Sequence, residues 1–160
     1  MKKQETILIA HNIRSTHNVG SLFRTADAAG VSKLYLTGYT PCPQDRFGRK
    51  RKDIAKVALG AEESLAWENK EDVVALLNAL HQKEYFIIAL EQDERALDYR
   101  EIKIPEDKIP VFVLGSEVEG LSSELLSLCD VMAEIPMKGE KESLNVSVAL
   151  GIALFRILNI

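Results

Sequence analysis

The sequence predicts an α/β domain: a mostly parallel sheet with helices on both faces. Three observations predict it. Apolar runs of strand length alternate with stretches of helical periodicity from one end of the chain to the other. The strand-like runs are apolar at successive positions, as in strands covered on both sides. The segments of unusual composition, RSTHNVG, GSEVEGLS and PMKGEKESLN, each follow a strand, where ligands of such sheets bind.

Met1-Lys-Lys is followed by polar Gln4, Glu5 and Thr6 and then only four apolar residues, Ile7 to Ala10. That run is too short for a signal-peptide core, so a cytoplasmic protein is expected. TILIA (Thr6 to Ala10) reads as the first strand and KLYLTG (Lys33 to Gly38) as the second, with a helix between them that Gly30 can stop. At roughly 100° per residue, Val19, Leu22, Phe23, Ala26 and Ala29 share one stripe of this helix, and Arg24 lies almost opposite. Its plainest reading is a solvated cation paired with Asp27.

Ile54 to Glu68 has no clear period, and Trp67 within it reads as a core anchor. Glu71 to Gln82 has helical spacing at Val73, Val74, Leu77 and Leu80, and YFIIAL (Tyr85 to Leu90) follows as a buried strand. Glu91 to Pro110 is charged and carries two prolines, as a surface connection does. Two more strands, Val111 to Gly115 and Val131 to Pro136, flank a helix over Ser122 to Cys129. The last helix, Asn145 to Leu158, is apolar nearly all round, with Arg156 its only charge. It is too short to span a bilayer, so core and a partner subunit are expected to cover it. Ser147, Gly151 and Ala153 would allow close backbone approach.

The chain of 160 residues suits one domain, 46% hydrophobic and 28% charged. A net charge of -4 argues against a protein that coats nucleic acid over its whole surface. There is a local exception. Arg46, Arg49, Lys50, Arg51 and Lys52 put five cations into seven residues around Phe47 and Gly48, which reads either as a solvated loop or as a localised phosphate contact. Cys42 and Cys129 form neither a CxxC motif nor a disulfide scaffold and read as reduced structural thiols, with no metal site implied.

Two nucleotide motifs fail. GSEVEGLS has the glycine spacing of a phosphate-binding loop but places Leu121 where that loop needs Lys. No G-x-G-x-x-G follows the first strand. What remains is Gly115, open to close approach of a ligand, a carboxylate at Glu117, and Ser143 or Asn145 as cap of the last helix.

Taken in order and spacing, N-x-G-x-x-x-R (Asn18, Gly20, Arg24), L-G-x-E-x-x-G-L-S (Leu114 to Ser122) and I-P-M followed by S-L-N-V-S (Ile135 to Met137, Ser143 to Ser147) resemble the three signatures of the SpoU (TrmH-like) class of SPOUT RNA methyltransferases. Ser116 stands where many members have Asn. The match runs from about Thr6 to the C-terminus and leaves no room for the extra RNA-binding domain of some relatives, so residues 1–160 are expected to form a single domain.

The resemblance implies an S-adenosylmethionine-dependent methyltransferase acting on a ribose 2'-hydroxyl of tRNA or rRNA. It implies a SPOUT fold with a C-terminal trefoil knot, and a homodimer. It places Arg24 at the reacting oxygen, with Asn18, Glu117, Ser143 and Asn145 completing the catalytic set. Arg24 would act as proton acceptor or as a cation that stabilises alkoxide charge. The methyl donor would lie against Leu90, Gly115, Ile135, Met137, Ser143, Leu144 and Asn145. RNA would meet Arg14, Arg24, Arg46, Arg49, Lys50, Arg51 and Lys52, with the amides of Asn18 to Gly20 as a further phosphate site. The alternatives are a non-catalytic RNA-binding protein on the same scaffold and a knotted methyltransferase acting on a base.

Overall fold

Because side chains alternate across a strand, each apolar run feeds two cores. Leu8 and Ala10 pack on one side of the sheet with Leu34, Leu36, Phe112 and Leu114, while Ile7 and Ile9 pack on the other with Ile87, Ala89, Val111 and Val113. Helices cover both sides. The computed structural model describes residues 4–160, so Met1 to Lys3, the start of the stretch read for a leader, lie outside the described residues.

In chain order the elements are β1 (Ile7–His11), α1 (Thr16–Ala28), β2 (Lys33–Thr37), α2 (Lys52–Ala58), α3 (Ala61–Ser64), β3 (Ala66–Lys70), α4 (Val73–His81), β4 (Tyr85–Leu90), β5 (Leu97–Asp98), a 3₁₀ turn (Tyr99–Glu101), β6 (Ile109–Leu114), α5 (Ser123–Ser127), β7 (Val131–Glu134) and α6 (Val146–Ile157). The seven strands make one sheet in the order β3-β2-β1-β6-β4-β7-β5. Every pairing is parallel. Ile7 of β1 therefore lies between Lys33 of β2 and Val111 of β6. The core of α1, α2, α3 and α6 lies on one side, and that of α4 and α5 on the other.

Helix α1 starts where the Ser15 hydroxyl accepts a hydrogen bond from the Asn18 amide at 3.1 Å, and it stops before Gly30, whose φ is 75°. Val19, Leu22, Phe23 and Ala26 are fully buried. Gly20 is the point of closest approach to α2: a Cβ there would fall 2.7 Å from Val57 Cβ and 2.8 Å from the Ile54 carbonyl oxygen. The glycine of the first signature is thus explained by helix packing.

Two segments differ from expectation. Ile54 to Glu68 resolves into α2, α3 and β3, broken by left-handed residues at Leu59 and Gly60. Trp67 is a half-buried side chain of an edge strand that packs against the core. The connection from Glu91 to Pro110 contains β5 and gives its last two residues to β6. Strand β5 escapes sequence reading because its two residues are held by backbone pairing with β7 and carry no apolar pattern.

The all-apolar α6 is capped by Asn145, whose side chain accepts from the Ser147 amide at 2.9 Å. Leu150, Ala153 and Leu154 are buried, whereas Val148, Ile152 and Phe155 stand exposed on a single chain. Both cysteines are free; burial pushes the Cys129 thiol up to about 12 and raises Cys42 as well, so neither is poised as a nucleophile. No helix of the described residues is long and apolar enough to cross a membrane.

Candidate active site

In a parallel sheet the carboxyl ends of the strands open on one edge, and here Leu90 of β4, Leu114 of β6 and Ala133 of β7 end at a common cavity of about 450 Å³. The segments that follow these strands complete its wall. Glu91 and Gln92 come from the first, Gly115 to Glu117 from the second, and Ile135, Met137 and Ser143 to Val146 from the third, with Asn18 entering from α1. The volume lies in the range of small-molecule sites, and the wall mixes apolar side chains with a few polar groups.

A chain of hydrogen bonds links three distant parts of the sequence at this wall. Asn18 Nδ2 donates to Glu117 Oε1 at 3.0 Å, and Asn145 Nδ2 donates to Asn18 Oδ1 at 3.1 Å. Glu117 also accepts from the amides of Arg14 at 3.2 Å and Ser15 at 3.4 Å. Burial alone would push the Glu117 carboxyl up; the bonds from Asn18, from its own amide and from Arg14 and Ser15 outweigh it and hold the group below its ordinary value. Glu117 is thus a fixed carboxylate. Glu91 braces the same loop, its Oε2 accepting from the Leu121 amide at 2.9 Å.

Asn18, Glu117, Ser143 and Asn145 all line the cavity, as do Leu90, Gly115, Ile135, Met137 and Leu144. Arg24 does not. It lies exposed on a shallow second groove with Ser21, Thr25, Val57, Ser147, Val148, Gly151 and Ile152. Helix geometry dictates this: six residues beyond Asn18, Arg24 is turned by about 240° and carried about 9 Å along the axis. Within one chain the two cannot share a pocket. The pairing of Arg24 with Asp27 is corrected too, because Asp27 accepts from Ser64 Oγ at 3.0 Å.

One further expectation changes, and two become definite. The Asn18 and Val19 amides are already bonded to Ser15, to its hydroxyl and its carbonyl respectively, so they offer no open phosphate site. At Gly115 the close neighbour is the chain itself: a Cβ there would fall 2.6 Å from the carbonyl carbon of Gly120. Asn145 caps α6, and Ser143 is left on the cavity wall. Glu91 went unmarked, although its place directly after a strand was a usable signal.

The basic run is an ordered turn. Asp45 accepts from the Phe47 amide at 2.8 Å, the Arg49 amide at 3.0 Å and Arg49 Nε at 2.8 Å, and Gln44 pairs with Lys50 as an antiparallel bridge. Lys50 meets Glu63 at 2.9 Å, and Arg51 meets Asp53 at 3.0 Å. Arg46 and Lys52 have no carboxylate partner among the described residues. Arg14 is exposed near the cavity mouth, its guanidinium carbon 6.0 Å from the Tyr39 ring centre. Among the described residues no group of acidic, His and Cys side chains could hold a metal ion.

An all-parallel α/β domain with a cavity of small-molecule size at the strand ends, walled by three post-strand segments, has the architecture of a small-molecule-binding domain. The chain belongs to the SpoU rRNA Methylase family, which matches residues 5–155. It is 32% identical over 153 residues to the 23S rRNA (guanosine-2'-O-)-methyltransferase RlmB of Pseudomonas aeruginosa, covering 95% of this chain and 58% of the relative. It is also 32% identical over 154 residues to the tRNA (guanosine(18)-2'-O)-methyltransferase of Aquifex aeolicus, covering 96% and 69%. The AdoMet-bound rRNA methyltransferase from Sinorhizobium meliloti superposes with a TM-score of 0.88 at 27% identity, over 99% of this chain and 57% of that one. The chain thus spans less than three-fifths of the RlmB relative and of this solved structure.

Proposed function

We propose that this protein is an S-adenosylmethionine-dependent RNA methyltransferase that methylates a ribose 2'-hydroxyl of tRNA or rRNA, working as a homodimer in the cytoplasm. The observation that carries the reading is the bridge through Asn18, which ties Glu117 to Asn145 across the cavity wall. Family membership and the names of the relatives support it.

The donor fits the cavity by size and by charge. Leu90, Ile135, Met137 and Leu144 supply apolar wall for an adenine ring, and the carboxylates of Glu91, Glu117 and Glu134 make the surroundings favourable to a cation. When bound, the donor supplies a methyl group on a sulfonium. Glu117, held ionised, and Asn18 orient the ribose and its hydroxyl for in-line approach, and Asn145 keeps Asn18 in register. Arg24 serves at the attacking oxygen, either as acceptor of the hydroxyl proton or as the cation that holds the adjacent phosphate and stabilises alkoxide charge while that proton leaves to water.

Arg24 reaches that oxygen from a second chain. The exposed apolar residues Val148 and Ile152 of α6 line the same groove as Arg24, so a partner seated on α6 would carry its own Arg24 toward the cavity of its mate. A knotted path for the segment from Ile135 to Asn145 belongs to the same reading. Calorimetry with S-adenosylmethionine and methyl transfer to total tRNA and rRNA, with the modified atom mapped, test the proposal. Donor binding and a 2'-O-methyl product are expected; no donor binding, or methylation of a base nitrogen, overturns it.

A further inference from the structure

Phe47 is an aromatic side chain at the tip of the ordered turn, and it is 67% exposed. Burial does not explain it. The Arg46 guanidinium lies 4.8 Å and that of Arg49 5.0 Å from its ring centre. The tip is held in shape by the triple acceptance at Asp45, by the Gln44 to Lys50 bridge and by Gly48, whose φ of 76° most side chains avoid. Lys50 anchors it to Glu63. A phenyl ring in water, fixed by its backbone and flanked by cations with planar donor forks, has the chemistry of a platform for an unpaired nucleobase. The ring takes the base by stacking, and the guanidiniums take the flanking phosphates.

We infer that Phe47, with Arg46 and Arg49, forms a stacking site for an unpaired nucleobase of the RNA, separate from the methyl-transfer cavity. A protein partner fits less well, because Arg46 beside the ring has no carboxylate partner among the described residues and would enter an apolar protein contact uncompensated, whereas a phosphate supplies its counter-charge. The inference rests on the RNA reading given above and narrows it to RNA with an unpaired segment.

The test is the affinity of the full chain for a short fluorescein-labelled oligouridine, and for the same strand annealed to oligoadenosine, over a series of salt concentrations. Phe47→Ala should weaken single-strand binding roughly five- to a hundredfold and leave duplex binding unchanged, whereas Phe47→Trp should retain single-strand binding. Stacking releases no counterions, so Phe47→Ala should keep the wild-type slope of affinity against salt, and Arg46→Ala should flatten it. Equal affinity of Phe47→Ala and wild type for oligouridine overturns the inference, as does an equal loss on the duplex or no oligouridine binding by wild type. Absence of donor binding in calorimetry is a separate result, which strikes the methyl-transfer reading and not this site.

Discussion

At the scale of single residues, Asn18 and Arg24 show how one helix serves two places. Asn18 uses both ends of its amide inside the cavity wall, while Arg24 points away from that wall. Arg24→Ala should therefore leave donor affinity near wild type while lowering transfer by about a hundredfold or more, the scale at which a lost electrostatic contact to a reacting oxygen is felt. Calorimetry beside a single-turnover assay separates the two effects. Glu117 makes a second prediction. Its folded pKa lies below the ordinary 4.5, so its hydrogen bonds stabilise the protein in full above that value and are lost as pH falls through the lowered one. Wild type should melt above Glu117→Gln at neutral pH, and the gap should close only at pH below 4.5; thermal melts across an acid series measure it.

Among the elements, α1 and α2 pack at Gly20 with no room for a methyl group. Gly20→Ala should cost about 1–3 kcal/mol through overpacking, read as a lower denaturant midpoint with an unchanged slope. A shift of the slope as well would mean that the substitution altered the compactness of the folded or denatured state or broke two-state unfolding, and not stability alone. The apolar runs of β1, β2, β4 and β6 and the periodic stripe of α4 were legible because burial on both sides or on one face writes itself into the sequence. The edge strands were not. Ala66 to Lys70 is mostly polar, and Leu97 with Asp98 is held by main-chain bonds, which leave no trace in side-chain pattern. The cavity residues were legible only through the resemblance that the three signatures carry, and the turn of about 240° between Asn18 and Arg24 was legible from helix geometry, but not which neighbour Arg24 would meet. In the sequence Phe47 stands only as a residue among cations, with nothing in the pattern to mark its exposure.

On the scale of the whole molecule, α6 joins the reading of the site to that of assembly. If α6 seats the proposed dimer, Ile152→Glu should give a monomer in sedimentation equilibrium and suppress transfer, because a single chain has no Arg24 at its cavity. A chain that remains dimeric with Glu at this position would place the interface elsewhere. Mixing and reannealing Arg24→Ala with Asn145→Ala chains should restore part of the activity that each lacks, because one cavity of the mixed pair then has both groups intact. No recovery would mean that each cavity draws on its own Arg24.

The side-by-side placement of Ile7 and Val111 has a consequence during synthesis. As the chain leaves the ribosome, β1 can join β2 and β3 early, but its other edge stays open for about a hundred residues until β6 emerges. That unpaired edge is a template for association with any neighbouring extended chain. Products that terminate before Leu114 should therefore be prone to aggregate.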